Sequence, residues 1–381
     1  MNHVVDTLII GAGPAGLSCG IRLCKRGVSN LVVEKRSFPR DKTCGGGVTN
    51  KTYRLLSEEL ELPEEALSKI FCDENDVLEL FFGDLRLTHS KIKKPLRFVK
   101  RREFDHFLAT EYQKRGGKLL ENTTCSSLDP KGHTATLSSG DTVAFEHLVI
   151  SDGALSPTAK SLGYDSPELA FCVETHIPKE ALPNHTAVGV SFGVVKNGYV
   201  WVFPSGKELC VGLGGLYDQS VRYDAILKDF LRTLGVDPEP YPIKGAFLPY
   251  GKLVKQSRGM DNVLLVGDAG GFVDPIYGEG LYFALASGIE AAKAISAGHT
   301  SARKAFLARM KPYQKIIRDG KRLQKIFVLP ASQKYFKKVA QGRNNFVGFY
   351  IDHLLAEYDY PYSRLGKLIR DYRREKKTAK A

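Results

Sequence analysis

Residues 6–16 read Asp6-Thr7-Leu8-Ile9-Ile10-Gly11-Ala12-Gly13-Pro14-Ala15-Gly16, an apolar segment followed by three glycines with the spacing G-x-G-x-x-G. Residues 17–26 then have the pattern of a helix. Leu31-Val32-Val33 is a second short apolar segment, and it ends at Glu34. A strand, a glycine turn, a helix and a strand within about thirty residues predict a βαβ unit at the start of a parallel sheet.

This unit predicts a binding site for a dinucleotide. Gly11 allows a tight turn, Gly13 lets a pyrophosphate approach the backbone, and Gly16 lets helix and strand pack closely. The unpaired N–H groups at the start of the helix attract phosphate. Glu34 can hold both ribose hydroxyls and would repel a 2′-phosphate. The motif alone leaves FAD and NAD as alternatives. The residues expected at the cofactor here are Gly11, Gly13, Pro14, Ala15, Gly16, Glu34 and Lys35.

Two later segments place an acidic residue directly after an apolar strand. Ser151-Asp152-Gly153 follows residues 148–150, and Gly267-Asp268 follows residues 263–266. An acid at the carboxyl end of a parallel strand is well placed to bind the ribose or ribityl hydroxyls of a long cofactor. Each aspartate taken alone could instead cap a helix. A loop with the pattern Pro-x-x-Gly-x-Gly, residues 275–280, then precedes a predicted helix over about 280–297.

These segments, in this order, resemble the para-hydroxybenzoate-hydroxylase-type FAD fold. The segment Arg102-Glu103-Phe104-Asp105-His106-Phe107-Leu108 resembles that group's R-x-x-F-D-x-x-L motif, whose arginine reaches the FAD. Members often carry an arginine after the Asp-Gly segment, where this chain has Lys160. The glycine loop would direct its amides at the pyrimidine end of the flavin. The further residues that the resemblance implies at the FAD are Cys44, Gly45, Arg102, Asp152, Gly153, Gly267, Asp268, Pro275, Gly278, Gly280 and Leu281.

Two other segments indicate one branch of these flavoproteins. Residues 199–204, Tyr-Val-Trp-Val-Phe-Pro, precede Gly212-Leu213-Gly214 and resemble the Y-x-W-x-F-P…G-x-G motif of the geranylgeranyl reductase family. Cys44-Gly45-Gly46-Gly47 resembles that family's Cys-Gly-Gly segment near the flavin. The resemblance implies reduction of isolated C=C bonds in an isoprenoid or similar apolar lipid chain, with reduced FAD as the hydride donor.

The alternating aromatic residues of the first of these segments share one face of a predicted strand. Such a face suits an apolar chain beside the flavin, although an ordinary core strand is the alternative. Cys44 is either a small buried residue or a proton donor or steric gate, because alkene reduction needs a proton as well as a hydride. We expect catalytic roles for Cys44, Tyr199 and Trp201. The residues expected to contact substrate are Tyr199, Trp201, Phe203 and Gly46.

An oxygen-using hydroxylase or halogenase on the same fold is the main alternative function. The flavin-dependent halogenases carry a Trp-x-Trp-x-Ile-Pro pattern, and this chain differs from it at Tyr199 and Phe203. A second rival is a membrane-bound or carrier-docking protein whose flavin is redox-inert. Since only one nucleotide-binding glycine fingerprint is present, NADPH or a reduced electron-carrier protein would have to reach the flavin without a second Rossmann domain.

The predicted fold class is α/β, with a discontinuous Rossmann-like FAD-binding domain, a substrate domain built on a mixed or antiparallel sheet, and a helical C-terminal region. Residues 77–88 alternate like one half-buried strand, and residues 171–215 are rich in strand patterns. Residues 51–70 and the segment from Phe104 to Arg115 are predicted to be helical. The expected boundaries are residues 1–70, 98–170 and 255–300 for the FAD-binding domain, 71–97 and 171–254 for the substrate domain, and 301–381 for the C-terminal region.

The composition is that of a globular protein, with 43% hydrophobic and 25% charged residues. No apolar run approaches the ~20 residues of a membrane-spanning helix, and the N-terminus lacks the pattern of a secretory signal. Seven cysteines without paired spacing predict reduced thiols and a cytoplasmic chain, and no Cys/His cluster suggests a metal site.

The positive charge is concentrated at the C-terminus. Residues 303–381 contain 21 Lys and Arg against 6 Asp and Glu, a net charge of +15, whereas the whole chain has a net charge of +13. Basic residues alternate with aromatic ones at 334–338, 343–350 and 370–377. This pattern fits peripheral docking to an anionic membrane at its inner face, attraction of an acidic electron carrier, or a solvated helical cap. Nucleic-acid binding is not expected, because no nucleic-acid motif accompanies the charge. The oligomeric state cannot be predicted.

Overall fold

The fold is given by a computed structural model that describes residues 2–257, 259–298, 301–327, 362 and 365–378. Its strands form two sheets. The strands are β1 (Asn2–Ile10), β2 (Asn30–Val33), β3 (Gly47–Val48), β4 (Phe71–Phe82), β5 (Leu85–Val99), β6 (Lys118–Leu120), β7 (Cys125–Asp129), β8 (Thr134–Leu137), β9 (Thr142–Ile150), β10 (Leu169–Pro178), β11 (Val188–Phe192), β12 (Gly198–Ser205), β13 (Glu208–Leu216), β14 (Lys244–Pro249) and β15 (Val263–Leu265). The α-helices are α1 (Pro14–Lys25), α2 (Asn50–Arg54), α3 (Glu64–Ile70), α4 (Arg101–Lys114), α5 (Pro157–Ser161), α6 (Tyr223–Thr233), α7 (Leu281–Ser296), α8 (Ala302–Phe327) and α9 (Leu365–Thr378).

The first sheet brings the ends of its parallel strands to one edge. Its order is β6-β2-β1-β9-β8-β7, and β15 pairs with the end of β9. Ile10, the last residue of β1, is in register with Val33 of β2 and Ile150 of β9, and Ile150 is in register with Leu265. The segments that follow these strands therefore meet at the same edge, as the carboxyl ends of parallel strands must.

The second sheet is mixed, with the order β14-β10-β13-β12-β11-β4-β5-β3. β11 and β4 are parallel, whereas the other neighbouring pairs are antiparallel. The α/β fold class, with a Rossmann-like first sheet and a mixed second sheet, is confirmed. The division into domains stays a prediction, and β3 shows where it needs adjustment, because residues 47–48 fall in the predicted first domain but pair with the second sheet.

Helices α1 and α7 pack closely beside the first sheet because small residues face each other there. A Cβ added at Gly288 of α7 would lie 2.1 Å from the carbonyl oxygen of Ala15 and 2.2 Å from the hydroxyl of Ser18. The Ser18 hydroxyl itself donates to the carbonyl of Leu285. α7 is buried along most of its length, and its apolar side chains join those of α1, α4 and α8 in one core.

Three local predictions differ from the structure. The alternating pattern at 77–88 spans a hairpin rather than one strand, because the chain turns at Gly83, which has a φ of +54°. The helix predicted from Phe104 begins at Arg101. The helical segment predicted over 51–70 is divided into α2, a π-helical turn at Leu55–Glu59 and α3 after Pro63.

The C-terminal region is helical where the structure describes it, in α8 and α9. The basic segments at 334–338 and 343–350 lie outside the described residues, and the segment at 370–377 lies on α9. None of the helices in the described ranges combines the length and hydrophobicity that crossing a bilayer requires.

The contact between α1 and α7 predicts the effect of enlarging Gly288. Gly288→Ala should lower the free energy of unfolding by about 1–3 kcal/mol, because the new methyl group meets backbone that cannot move aside cheaply. Urea denaturation followed by circular dichroism measures this. Gly366→Ala is the matched control, since among the described residues its Cβ would approach only the guanidinium of Arg370, at 3.9 Å. Equal stability of Gly288→Ala and wild type would contradict the packing described for the two helices.

Candidate active site

A cavity of about 1650 Å³ opens between the edge of the first sheet and one face of the second. The glycine turn after β1, the segment at 40–47, the segments after β9 and β15 and the loop at 275–280 all contribute to its walls. Of the residues predicted from the sequence to form the site, all but Gly16 and Arg102 line this cavity. The fold thus brings together side chains that are up to 270 positions apart in the sequence.

One end of the cavity has the form of a nucleotide site. A Cβ added at Gly13 would meet no atom of the described residues within 4 Å, so among them open space lies in front of the N-terminus of α1. Gly11 has a φ of +100°, and its Cβ would lie 2.6 Å from the carbonyl oxygen of Ser151, so both conformation and packing require glycine. Gly16 serves packing as well, because its Cβ would lie 2.1 Å from the carbonyl oxygen of Gly11.

Glu34 is fixed at this end by the backbone. The carboxylate is buried and accepts hydrogen bonds from the backbone N–H groups of Ala12, at 2.9 Å, and Arg36, at 3.2 Å. Arg40, which the sequence analysis did not single out, approaches it at 3.5 Å and donates to the carbonyl of Ala12 at 3.0 Å. Arg40 lies in a segment without periodicity, so no sequence signal marked it.

The arginine that reaches the cavity is Arg101, which corrects the prediction for Arg102. Arg101 donates twice to the buried carboxylate of Asp105, at 2.7 and 2.9 Å, one helical turn further on. The side chain of Arg102 is 55% exposed and contacts Asp41 at 3.4 Å outside the cavity. The R-x-x-F-D spacing, counted back from Phe104-Asp105, falls on Arg101, so the sequence contained the signal.

The two predicted acids after β9 and β15 differ in their surroundings. The carboxylate of Asp152 accepts hydrogen bonds from Ser156 and from the backbone N–H of Thr158, so it caps the start of α5. Its contact with a cofactor stays a prediction. Asp268 has no side-chain partner in the described part of the chain, and burial raises the pKa of its carboxyl group. Hydroxyl groups of a bound sugar chain are suitable partners for such a group.

The loop at 275–280 is shaped by buried hydrogen bonds. The carboxylate of Asp274 accepts from the backbone N–H groups of Ile276 and Tyr277, at 2.8 and 2.9 Å, and from the hydroxyl of Tyr362, at 2.7 Å. Glu279 pairs with the buried Lys51 and accepts from Thr49 at 2.8 Å. These contacts hold the backbone of the loop against the cavity.

Tyr199, Trp201 and Phe203 form one continuous row on β12, here called the aromatic stripe. Neighbouring ring centroids are 6.1 and 6.3 Å apart. Trp201 is in register with Gly212 on β13, and a Cβ at Gly212 would lie 2.3 Å from the indole ring. Gly212 is therefore needed because the indole ring lies across β13, whereas a Cβ at Gly214 would lie 2.1 Å from Sγ of Cys172.

The hydroxyl of Tyr199 forms a structural hydrogen bond. It donates a hydrogen bond to the carbonyl of Tyr277, and burial raises the pKa of Tyr199. Tyr199 thus joins the stripe to the loop at 275–280, and its predicted catalytic role stays a prediction. The indole Nε1 of Trp201 is buried and has no hydrogen-bond acceptor of suitable geometry among the described residues.

The Cys-Gly-Gly segment packs directly on the aromatic stripe. A Cβ at Gly45 would lie 3.0 Å from the ring of Phe203 and 3.2 Å from the indole nitrogen of Trp201. The backbone N–H of Cys44 donates to the carboxyl group of Glu174 at 2.9 Å. Glu174 was not predicted as a site residue, because its strand has no pattern that separates it from a core strand.

Beyond the stripe, the cavity continues along an entirely apolar wall of the second sheet. Its side chains come from three adjacent strands, β11, β4 and β5. We call this wall the apolar arm and define it by Leu78, Leu80, Phe98, Val188, Val190 and Phe192. Such a surface suits a hydrocarbon chain, because it offers no hydrogen-bonding partner to a polar ligand.

Comparison with known proteins agrees with this architecture. Residues 4–181 match the family described as an FAD binding domain. A menaquinone reductase of Mycobacterium tuberculosis is 27% identical over 315 residues, which cover 76% of each protein. A digeranylgeranylglycerophospholipid reductase of Methanocaldococcus jannaschii is 26% identical over 315 residues, which cover 78% of each. The structure of a geranylgeranyl bacteriochlorophyll reductase-like protein from Thermoplasma acidophilum superposes with a TM-score of 0.80 at 17% identity, covering 97% of this chain and 100% of that chain.

The fold and the cavity define an FAD-binding oxidoreductase. Open space in front of Gly13, the acid after β2 and the unpartnered Asp268 all fit the cofactor. Within that class, the sequence is similar to that of a digeranylgeranylglycerophospholipid reductase, and the fold is similar to that of a geranylgeranyl bacteriochlorophyll reductase-like protein.

The open space at Gly13 predicts that a larger residue there affects FAD binding but not the stability of the cofactor-free protein. Gly13→Ala should leave the stability of the cofactor-free protein unchanged, because the methyl group meets no atom in the described part of the chain and φ is −79°. It should weaken FAD binding by roughly 10-fold or more, since the methyl group occupies the space next to the helix N-terminus that phosphate needs. Isothermal titration of FAD and thermal unfolding of the cofactor-free form measure the two effects. Unchanged affinity would show that the phosphates bind elsewhere.

Proposed function

We propose that this protein reduces C=C bonds of an isoprenoid or similarly apolar lipid chain. The observation that carries the proposal is the continuity of the apolar arm with the aromatic stripe and the loop at 275–280, within one cavity. The relatives named as reductases of menaquinone and of digeranylgeranylglycerophospholipid support the same substrate class.

The roles of the residues follow from their positions. FAD, once reduced, supplies the hydride. Glu34 and the N-terminus of α1 would hold the nucleotide half, and Asp268 and Arg101 would hold its middle. The loop at 275–280 would face the flavin ring, with Tyr199 fixing the distance between loop and stripe. The apolar arm excludes water from the lipid chain and keeps that chain on one side of the flavin ring.

For the electron source we propose NADPH or a small reduced carrier protein. The chain contains one nucleotide-binding glycine fingerprint, at Gly11 to Gly16, and the FAD itself needs that site. The donor therefore acts transiently from outside the nucleotide site.

We also propose that the basic C-terminal region docks to an anionic membrane surface, where lipid-tailed substrates are found. On α9, Lys367, Arg370 and Arg374 are exposed, while Ile369 of the same helix lines the cavity. One helix thus joins a cationic surface to the substrate site. Attraction between such residues and anionic lipid acts over about 10 Å and is weakened by salt.

The central prediction concerns turnover without oxygen. After anaerobic reduction, a geranylgeranyl-tailed lipid should reoxidise the flavin, and the product should gain two hydrogens for each reduced bond. Val190→Trp, which fills the apolar arm, should slow reoxidation of the flavin by the lipid roughly 10-fold or more. The reason is that a misfit in an apolar pocket costs about 1–3 kcal/mol of substrate binding free energy in the transition state. Val4→Trp is the control at an exposed position. A strict requirement for oxygen would instead identify a hydroxylase or halogenase.

Membrane docking is tested by vesicle flotation. The triple variant Lys367→Gln, Arg370→Gln and Arg374→Gln should lose roughly 100-fold in affinity for phosphatidylglycerol vesicles, at about 1 kcal/mol per basic residue. Lys118, Lys131 and Lys207, which are exposed elsewhere, are changed to Gln as a control of equal charge. Equal loss in both variants would show a non-specific effect of net charge.

A further inference from the structure

Glu174 faces the cavity from the middle of the second sheet. The registers of β12, β13 and β10 place Trp201 beside Gly212 and Gly212 beside Glu174. Paired residues of neighbouring strands lie on the same face, so Glu174 shares the face of the aromatic stripe and is separated from Trp201 only by a glycine. Glu174 lines the cavity, yet only 5% of the residue is exposed.

The contacts of Glu174 favour a neutral carboxylic acid. Oε1 accepts from the backbone N–H of Cys44 at 2.9 Å, and Oε2 lies 3.7 Å from Sγ of Cys210. Within the described ranges the carboxyl group has no ion pair. A buried carboxylate without a counter-ion is unfavourable, and burial accordingly raises the pKa of Glu174. Oε2 receives only the long contact from the Cys210 thiol, so it is the oxygen better able to carry the proton.

The charged and titratable groups around Glu174 do not supply that counter-ion. Arg101 forms two hydrogen bonds with Asp105. The positive charge of Lys42 influences Glu174 through space, without a hydrogen bond between the two side chains in the described part of the structure. Burial lowers the pKa of His176, which favours a neutral imidazole, and raises the pKa of Cys172 to about 12. The groups that face Glu174 are Cys44 and Lys42 from the segment at 40–47, Arg101 from α4, Cys172 and His176 from β10, and Cys210 from β13.

We propose that Glu174 supplies the proton that completes reduction of the double bond. The inference rests on the proposed function. As hydride adds to one alkene carbon, the O–H bond of Glu174 breaks and a C–H bond forms at the other carbon. The alkene is reduced by two electrons, the reduced FAD is oxidised, and the Glu174 carboxylate regains a proton from water before the next cycle.

Other acids at the cavity are less suitable for this role. The hydroxyl of Tyr199 is bonded to the carbonyl of Tyr277, and Asp274 is satisfied by three donors. Asp268 lies at the edge of the first sheet rather than on the face of the stripe. Cys44, whose sulfur accepts from the N–H of Gly46 at 3.4 Å, is the competing donor that an experiment must separate.

The test uses Glu174→Gln, which keeps an oxygen acceptor for the N–H of Cys44 but has no acidic proton. Anaerobic reoxidation of the reduced holoenzyme by a geranylgeranyl-tailed lipid should slow by roughly 10²–10⁴-fold, the usual contribution of a general acid. FAD content and the rate of reduction by dithionite should be unchanged. Glu146→Gln, the same substitution at a side chain on β9 that is 71% exposed and does not line the cavity, is the matched control and should retain the wild-type rate.

Two further readouts separate an acid from a structural role. The wild-type rate should fall as pH rises through the raised pKa of Glu174, because only the protonated form donates, and Glu174→Gln should lose this dependence. Infrared difference spectra at neutral pH, Glu174→Gln against wild type, should show loss of the carbonyl band of a protonated carboxyl group. If Glu174→Gln fails to bind FAD, Glu174→Asp should restore both the pH dependence and part of the rate.

Several results would overturn the proposal. They are a wild-type rate in Glu174→Gln, an ionised carboxylate in the infrared spectrum, an Asp variant that restores nothing, or loss of the pH dependence in Cys44→Ser but not in Glu174→Gln. A wild-type enzyme that never reoxidises with the lipid would instead refute the proposed function, and the acid role would fall with it.

Discussion

The whole site depends on the close approach of β1 and β9 where both strands end. Gly11 and Ser151 lie so near each other that no side chain fits between them, and Gly16 packs against the backbone of Gly11. This contact directs the N-terminus of α1 into open space and places the segments after β9 and β15 beside it. Each later element of the site is positioned relative to this edge.

A second constraint of the same kind organises the substrate side. Gly212 on β13 lets the indole ring of Trp201 lie across that strand, and β10 on its other side presents Glu174 to the same space. Two different surfaces thus meet in one cavity, a polar edge that suits a nucleotide and an apolar face that suits a hydrocarbon chain. A reaction between a flavin and a hydrocarbon chain requires this arrangement, because the reacting atoms must meet away from water.

The parts of the fold that depend on local patterns could be predicted. A short stretch of sequence is enough to reveal the glycine spacing after β1, the acid after β2 or the alternating aromatic residues on β12. The hairpin at Gly83 was missed because a tight turn scarcely interrupts an alternating pattern. Arg40 and Glu174 were missed because their roles arise only from tertiary contacts, with Asp105 and with Cys44 respectively. Arg102 was chosen over Arg101 through a one-residue error in spacing, which helix geometry resolves.

The assigned roles require that one cofactor lies between the two sheets, with its reactive ring against the aromatic stripe. A crystal structure of the protein with FAD measures this directly. We expect the flavin ring to lie between the loop at 275–280 and Trp201, with the pyrophosphate at Gly13 and the apolar arm open beside the ring. A flavin ring bound away from Trp201, or purified protein that takes up no FAD at all, would contradict it.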